Sequence, residues 1–128
     1  MSIMQAISSP DAPQAIGPYS QAVLGHGLLF TSGQIPLLPK DGSIAGDSAA
    51  EQMEQCLNNL EAVLLAGGSA PDKVVKTTVY LTDMADFAAV NEVYAQHFGT
   101  PAPARSCVAV SALPKNVKVE VEAIALTD

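Results

Sequence analysis

Residues 104–126 read ARSCVAVSALPKNVKVEVEAIAL, and the folding of this stretch decides the architecture. Residues 104–110 and 117–126 are rich in valine and alternate in pattern, as strands do, and Leu113-Pro114-Lys115-Asn116 between them has turn chemistry. The second strand carries Val117, Val119 and Val121 on one face but Ile124 and Leu126 on the other, so both of its faces expect cover.

Taken as an antiparallel hairpin with its turn centred between Leu113 and Pro114, the stretch sets Cys107 opposite Glu120 and Arg105 opposite Glu122. Side chains alternate with period two, so all four would project from one face. A bulge or a one-residue slip would instead turn one strand's set to the other face. Arg105 is the chain's only arginine, and its planar fork can bind a carboxylate bidentately, which points to a small carboxylate ligand. Glu120 beside such a ligand could take a proton from water as a general base. The same register equally fits a plain salt bridge between Arg105 and a carboxylate across the two strands, and spacing leaves both readings open.

Working outward, residues 74–81 are β-branched and aromatic and read as a strand. Thr82 or Asp83 then caps a helix with Met84, Phe87, Val90, Asn91, Tyr94 and Phe98 on one face, and Gly99 ends it. Asn91 is the odd polar residue on that face; it either pins a neighbouring loop, the structural reading we favour, or faces a ligand. A longer helix starts near Asp47 or Ser48, with Glu51 in its first turn and Met53, Cys56, Leu57, Leu60, Val63 and Leu64 at helical spacing, closing at Gly67-Gly68. Before it, residues 19–24 and 28–34 form a hairpin through Gly25-His26-Gly27, and residues 1–18 read as an irregular lead-in. The order is ββαβαββ, an α+β domain over residues 1–128 whose two helices can cover only one sheet face. The other face asks for a partner chain.

Composition narrows the function. With 128 residues, 48% of them hydrophobic, the chain suits one domain with its own core. Only 15% are charged, low against the roughly 25% typical of soluble domains, which again suggests a surface covered by another copy. The net charge of −7, with six basic residues in all, argues against a nucleic-acid surface and favours a small-molecule partner. The N-terminus lacks a signal or transit pattern, no apolar run suits a membrane span, and Cys56 and Cys107 are too few for a disulfide framework, so a cytoplasmic setting is expected. His26 and His97 have no metal-ligand spacing, and no dinucleotide fingerprint, P-loop or nucleophile elbow is present. Cys107 has no histidine placed to activate it and reads as pocket lining. Tyr19 after Gly17-Pro18, and Ser32-Gly33, are either pocket walls or turn residues.

GPYSQA (17–22), TSGQIP (31–36), KTTVYL (76–81), PARSCV (103–108), LPK (113–115) and VEVEAIA (119–125) occur in one order along nearly the whole chain. With these motifs the sequence closely resembles the RidA/YjgF family of reactive-intermediate deaminases, formerly described as the endoribonuclease L-PSP type. The resemblance implies a chorismate-mutase-like α+β subunit, assembled as a homotrimer with pockets between subunits. It implies hydrolysis of 2-imino and 2-enamino acids, of the 2-aminoacrylate and 2-iminopropanoate class, to 2-oxo acids and ammonia without a cofactor. It also implies that Arg105 holds the substrate carboxylate and Glu120 activates water. Cys107 would contribute through its backbone, and Tyr19, Ser32, Gly33 and Asn91 would line the pocket. The approach to Arg105, Gly99-Thr100-Pro101-Ala102-Pro103, is tighter than in some relatives and would alter the pocket's width. Two rivals are a non-catalytic module that binds a small carboxylate such as a 2-oxo acid, and an RNA-directed translation inhibitor or ribonuclease.

Overall fold

The computed structural model of the chain describes residues 3–127. They form one mixed sheet of six strands with two α-helices packed on one face. In chain order the elements are β1 (Gln5–Ile7), β2 (Ala22–Gly25), β3 (Leu28–Thr31), α1 (Ala49–Ala66), β4 (Val74–Leu81), α2 (Phe87–Ala95), β5 (Ala104–Ala109) and β6 (Val119–Leu126).

The helices form where capping and periodicity place them. Ser48 caps α1 in a reciprocal capping box with Glu51, and Gly67 closes it. The buried face of α1 is the expected one, Met53, Cys56, Leu57, Leu60, Val63 and Leu64. Gly67 lies so close to Leu29 of β3 that a Cβ there would fall 2.6 Å from its methyl carbon, so the helix end can approach the sheet only as glycine. Asp83 caps a single 3₁₀ turn that leads into α2.

Two expectations fail. The lead-in is not wholly irregular: Gln5–Ile7 pairs with β2 as an edge strand, a segment of three residues too short to show a period. More consequential, β5 and β6 are not a hairpin. The sheet order is β1-β2-β3-β6-β4-β5, with β4 antiparallel to β6 and parallel to β5. The residues opposite Glu120 and Glu122 are therefore Tyr80 and Thr78, while Arg105 and Cys107 lie beside Thr77 and Val79.

The physical reason is burial. Thr77, Val79 and Leu81 of β4 are almost wholly buried, as are Val119, Val121 and Ala125 of β6, so these two strands form the sheet's centre under α1. The sequence of β5 is small and largely exposed and suits an edge. Residues 82–103, with α2, supply the long crossover that a parallel pair requires. Residues 110–118 then pass around the end of β4, which is tied on both sides by Val110 N–H to the Leu81 carbonyl and Thr82 N–H to the Lys118 carbonyl.

The second sheet face is bare of helices, as expected from the element order. It carries Phe30, Tyr80, Val108 and Ile124 together with Lys76, Glu120 and Glu122, placed there by the cross-strand pairs Phe30–Ile124, Tyr80–Glu120 and Tyr80–Val108. Among the described residues no helix is long and apolar enough to cross a membrane.

Three buried amides stitch irregular segments to this frame. Gln21 donates to the carbonyls of Ser9 and Pro13, and Gln52 joins the Gly46 carbonyl to the Lys118 N–H. Asn59 of α1 donates to the carbonyls of Ile35 (3.1 Å) and Leu37 (2.9 Å), fixing the segment after β3. Removing the Asn59 amide strands two carbonyls, so Asn59→Ala should lower the unfolding free energy by about 2–3 kcal/mol in urea titration. A loss under about 0.5 kcal/mol would mean that the segment does not depend on this contact.

Candidate functional site

Arg105 leaves edge strand β5 on the helix side of the sheet. Its register partner is Thr77, whose side chain is buried beneath α2, and its guanidinium lies 4.8 Å from the Tyr94 ring centroid and 5.5 Å from that of Phe87. Both rings can hold the cation by its attraction to their negative faces. Nη1 donates to Oδ1 of Asn91 at 2.6 Å. Tyr94 is itself fixed by a 2.7 Å hydrogen bond with Thr77 Oγ1 and by packing on Phe98, ring centroids 4.7 Å apart. Phe87, Asn91 and Tyr94 recur at helical spacing, so one stripe of α2 supplies both platform and clamp.

Asn91 therefore pins a side chain rather than a loop, and the side chain is the candidate ligand anchor. Among the described residues Arg105 makes no ion pair. The cross-strand salt bridge that spacing had left open is absent because β4 separates β5 from β6. A neutral amide and two aromatic rings orient the guanidinium while leaving most of its donors unused. They face a cavity of about 380 Å³ lined also by Asn91, Tyr94, Phe98 and Pro103.

Cys107, two residues along β5, is half-buried. Burial pushes its thiol above the usual range, with Arg105 pulling against that rise.

Glu120 lies elsewhere. It projects from β6 on the bare face, half-buried, and its carboxylate packs so tightly on Gly33 that a Cβ at position 33 would overlap it. Gly33 is held there by its neighbours: Gln34 and Val121 exchange backbone hydrogen bonds of 2.7 and 3.1 Å. Ser32 donates its hydroxyl to the Ser20 carbonyl at 2.6 Å and its N–H to that of Gln21. Burial raises the Glu120 pKa above the ordinary carboxylate value, and the charge of Glu122 on the same face raises it further. The ring of Tyr19 is mostly exposed and leans over Gly17, its hydroxyl accepting from the Ile16 N–H. Tyr19 and Gly33 line a common cavity of about 250 Å³.

The expected site thus divides into two groups. Arg105, Asn91 and Cys107 stand on the helix side at the β5 edge; Glu120, Gly33, Ser32 and Tyr19 belong to the other. Within one chain the guanidinium and the Glu120 carboxylate leave opposite faces of the sheet. The sequence places Phe87 and Tyr94 on one helix face without linking them to Arg105, and gives no role to Tyr80, which lies opposite Glu120 and also meets Glu122. A lone arginine beside an amphipathic helix with an aromatic and amide stripe was the available signal.

The profile of the endoribonuclease L-PSP family matches residues 9–127. The RutC family protein y4sK of Sinorhizobium fredii is 53% identical over 95% of this chain and 97% of its own length. The human 2-iminobutanoate/2-iminopropanoate deaminase is 46% identical over 97% of this chain and 90% of its own. Among solved structures, E. coli TdcF with bound serine superimposes with a TM-score of 0.91 at 45% identity, covering 97% of this chain and 99% of that one. The six-stranded sheet with its two helices is shared with TdcF, and the chain belongs to the endoribonuclease L-PSP family, the RutC, YjgF and Rid group.

Proposed function

We propose that this chain hydrolyses short 2-imino acids, and the 2-enamino acids that tautomerise to them, to 2-oxo acids and ammonia. The observation that carries the reading is the state of Arg105: a guanidinium oriented by Asn91, Tyr94 and Phe87 that pairs with no carboxylate among the described residues. Such a group is preorganised for a carboxylate from solution. The human relative is named as a deaminase of this substrate class, and TdcF binds serine, an amino acid of the same size.

The site is completed between copies of the chain, since Arg105 and Glu120 leave opposite faces of one sheet. We propose a homotrimer whose neighbours bring the two groups together, its contacts supported by Phe30 and Val108, exposed on the bare face. Arg105 of one copy holds the carboxylate of the ligand. Glu120 of the next takes a proton from water as the water oxygen bonds to the imine carbon. That proton passes to the imine nitrogen, giving a neutral carbinolamine; Glu120 then takes the carbinolamine's hydroxyl proton and delivers it to the nitrogen, so the C–N bond breaks, ammonia leaves and the carbonyl of the 2-oxo acid forms. The imine carbon is electrophilic in itself, so orientation and one base suffice and no cofactor is needed. The Cys107 backbone on the outer strand, with Tyr19, Ser32 and Gly33, forms the remaining walls. Both cysteines are free thiols, which suits a cytoplasmic setting.

TdcF with its serine supports a second reading, a module that binds small carboxylates without turning them over. Glu120→Gln separates the two, sparing ligand affinity and abolishing hydrolysis only if the chain is an enzyme. The family's ribonuclease description gives a third. Against it, Lys76 is engaged by Ser106 and Lys118 by the Asp47 carbonyl, and the net charge is −7.

The test couples a serine dehydratase, which releases 2-aminoacrylate, to this protein and follows 2-oxo acid appearance. Release should be faster with the protein, and unchanged release would sink the proposal. Arg105→Ala should cost roughly 100- to 1000-fold in kcat/KM, the worth of two charge-assisted hydrogen bonds. Arg105→Lys, which keeps the charge and loses the fork, should recover only part of it.

The pH dependence has a defined sign. A base works as its anion, so activity should fall as pH drops through the raised Glu120 pKa. Removing the neighbouring charge in Glu122→Gln should move that limb to lower pH. A limb that stays in place would mean another group carries the titration.

A further inference from the structure

Lys115 occupies a place that its residue type does not favour. It and Asn116 both have φ of 57°, in the left-handed region. Asparagine tolerates that conformation, but for lysine it is strained, and glycine would relieve it. The turn's geometry therefore does not account for a lysine. Nor does a local contact: among the described residues the Lys115 side chain has no hydrogen-bond or ion-pair partner, in contrast to Lys76, Lys118 and Arg105.

What Lys115 does have is a cavity. With Pro114, Tyr19 and Gly33 it lines the roughly 250 Å³ space, and among the described residues it is the only charged one that does. Gly33 is also the residue on which the Glu120 carboxylate rests. The cavity and the Glu120 carboxylate thus share Gly33 as a neighbour. In the site between copies proposed above, a ligand held by the neighbouring copy's Arg105 beside Glu120 has this space next to it for its side chain. A space of that volume exceeds what a methyl or ethyl group fills.

We propose that Lys115 is a second anion contact, which lets the site take imino acids whose side chain ends in a carboxylate as well as those with short apolar ones. This rests on the function proposed above, because Arg105 must hold the first carboxylate. Among the described residues Lys115 gives the lining of this cavity its one positive charge, in a chain of net charge −7.

The test is calorimetric binding of two stable 2-oxo acids, 2-oxobutanoate and 2-oxoglutarate, to the assembled protein and to Lys115→Met and Lys115→Gly. The wild-type protein should bind both. Either variant should lose about tenfold or more in 2-oxoglutarate affinity, the worth of one charged contact, and keep 2-oxobutanoate within about twofold. Lys115→Gly should have an unchanged or raised Tm, so its loss of binding cannot be ascribed to unfolding. Equal losses for both ligands, no loss for either, or no wild-type binding of 2-oxoglutarate would overturn the proposal. Arg105→Ala run alongside distinguishes the two claims. If it leaves 2-oxobutanoate binding intact, the carboxylate anchor is wrong, whatever Lys115 does.

Discussion

A strand sends alternate side chains to opposite faces of its sheet, and β4, lying between β5 and β6, carries that alternation from one to the other. Thr77, opposite Arg105, belongs to the buried set under α2; Tyr80, opposite Glu120, belongs to the bare face. No rotamer of either side chain can bridge a sheet whose centre is filled by Val79, Val121 and their neighbours. An arginine and a carboxylate that could have neutralised each other are kept apart, and each remains available. A site that uses both must join two copies of the chain.

Each half is made rigid by its own means. On the helix side, the register of α2 delivers an amide and two rings to one guanidinium, and Thr77 fixes the more buried ring. On the bare side, a glycine leaves room for the Glu120 carboxylate, and Asn59 on α1 holds the segment that follows that glycine. Tyr94 with Thr77 and Asn59 are buried supports, while the Asn91 contact to Arg105 is exposed, so the ring and the segment after Gly33 form the firmest parts of the frame.

Much of this was legible in the sequence. Capping and helical period gave α1 nearly to the residue, because Ser48 and Glu51 satisfy the first-turn donors and Gly67 ends the ladder. The run 74–81 read as a strand from its β-branched residues, and the alternation of valines and glutamates in β6 sorted its faces correctly. What failed was the pairing. A short turn-like stretch between two strands suggests a hairpin, yet strand order is fixed by which strands must be buried on both sides, a property of the whole sheet. Val119 and Val121 alternating with half-buried Glu120 and Glu122 mark β6 as central; exposed Ala104, Arg105 and Ser106 mark β5 as an edge. That Asn91 holds Arg105 rather than a loop was hidden for the same reason, since its partner sits on a strand that local spacing places elsewhere.

The central claim is that Arg105 and Glu120 act from different chains. It is tested by unfolding Arg105→Ala and Glu120→Gln together in equal amounts, refolding the mixture, and measuring 2-oxo acid release from 2-aminoacrylate. In any closed ring of copies, about one site in four then pairs an intact Arg105 with an intact Glu120, so activity should return to about one quarter of the wild-type level from two nearly inactive proteins. A mixture no more active than its components would contradict the account.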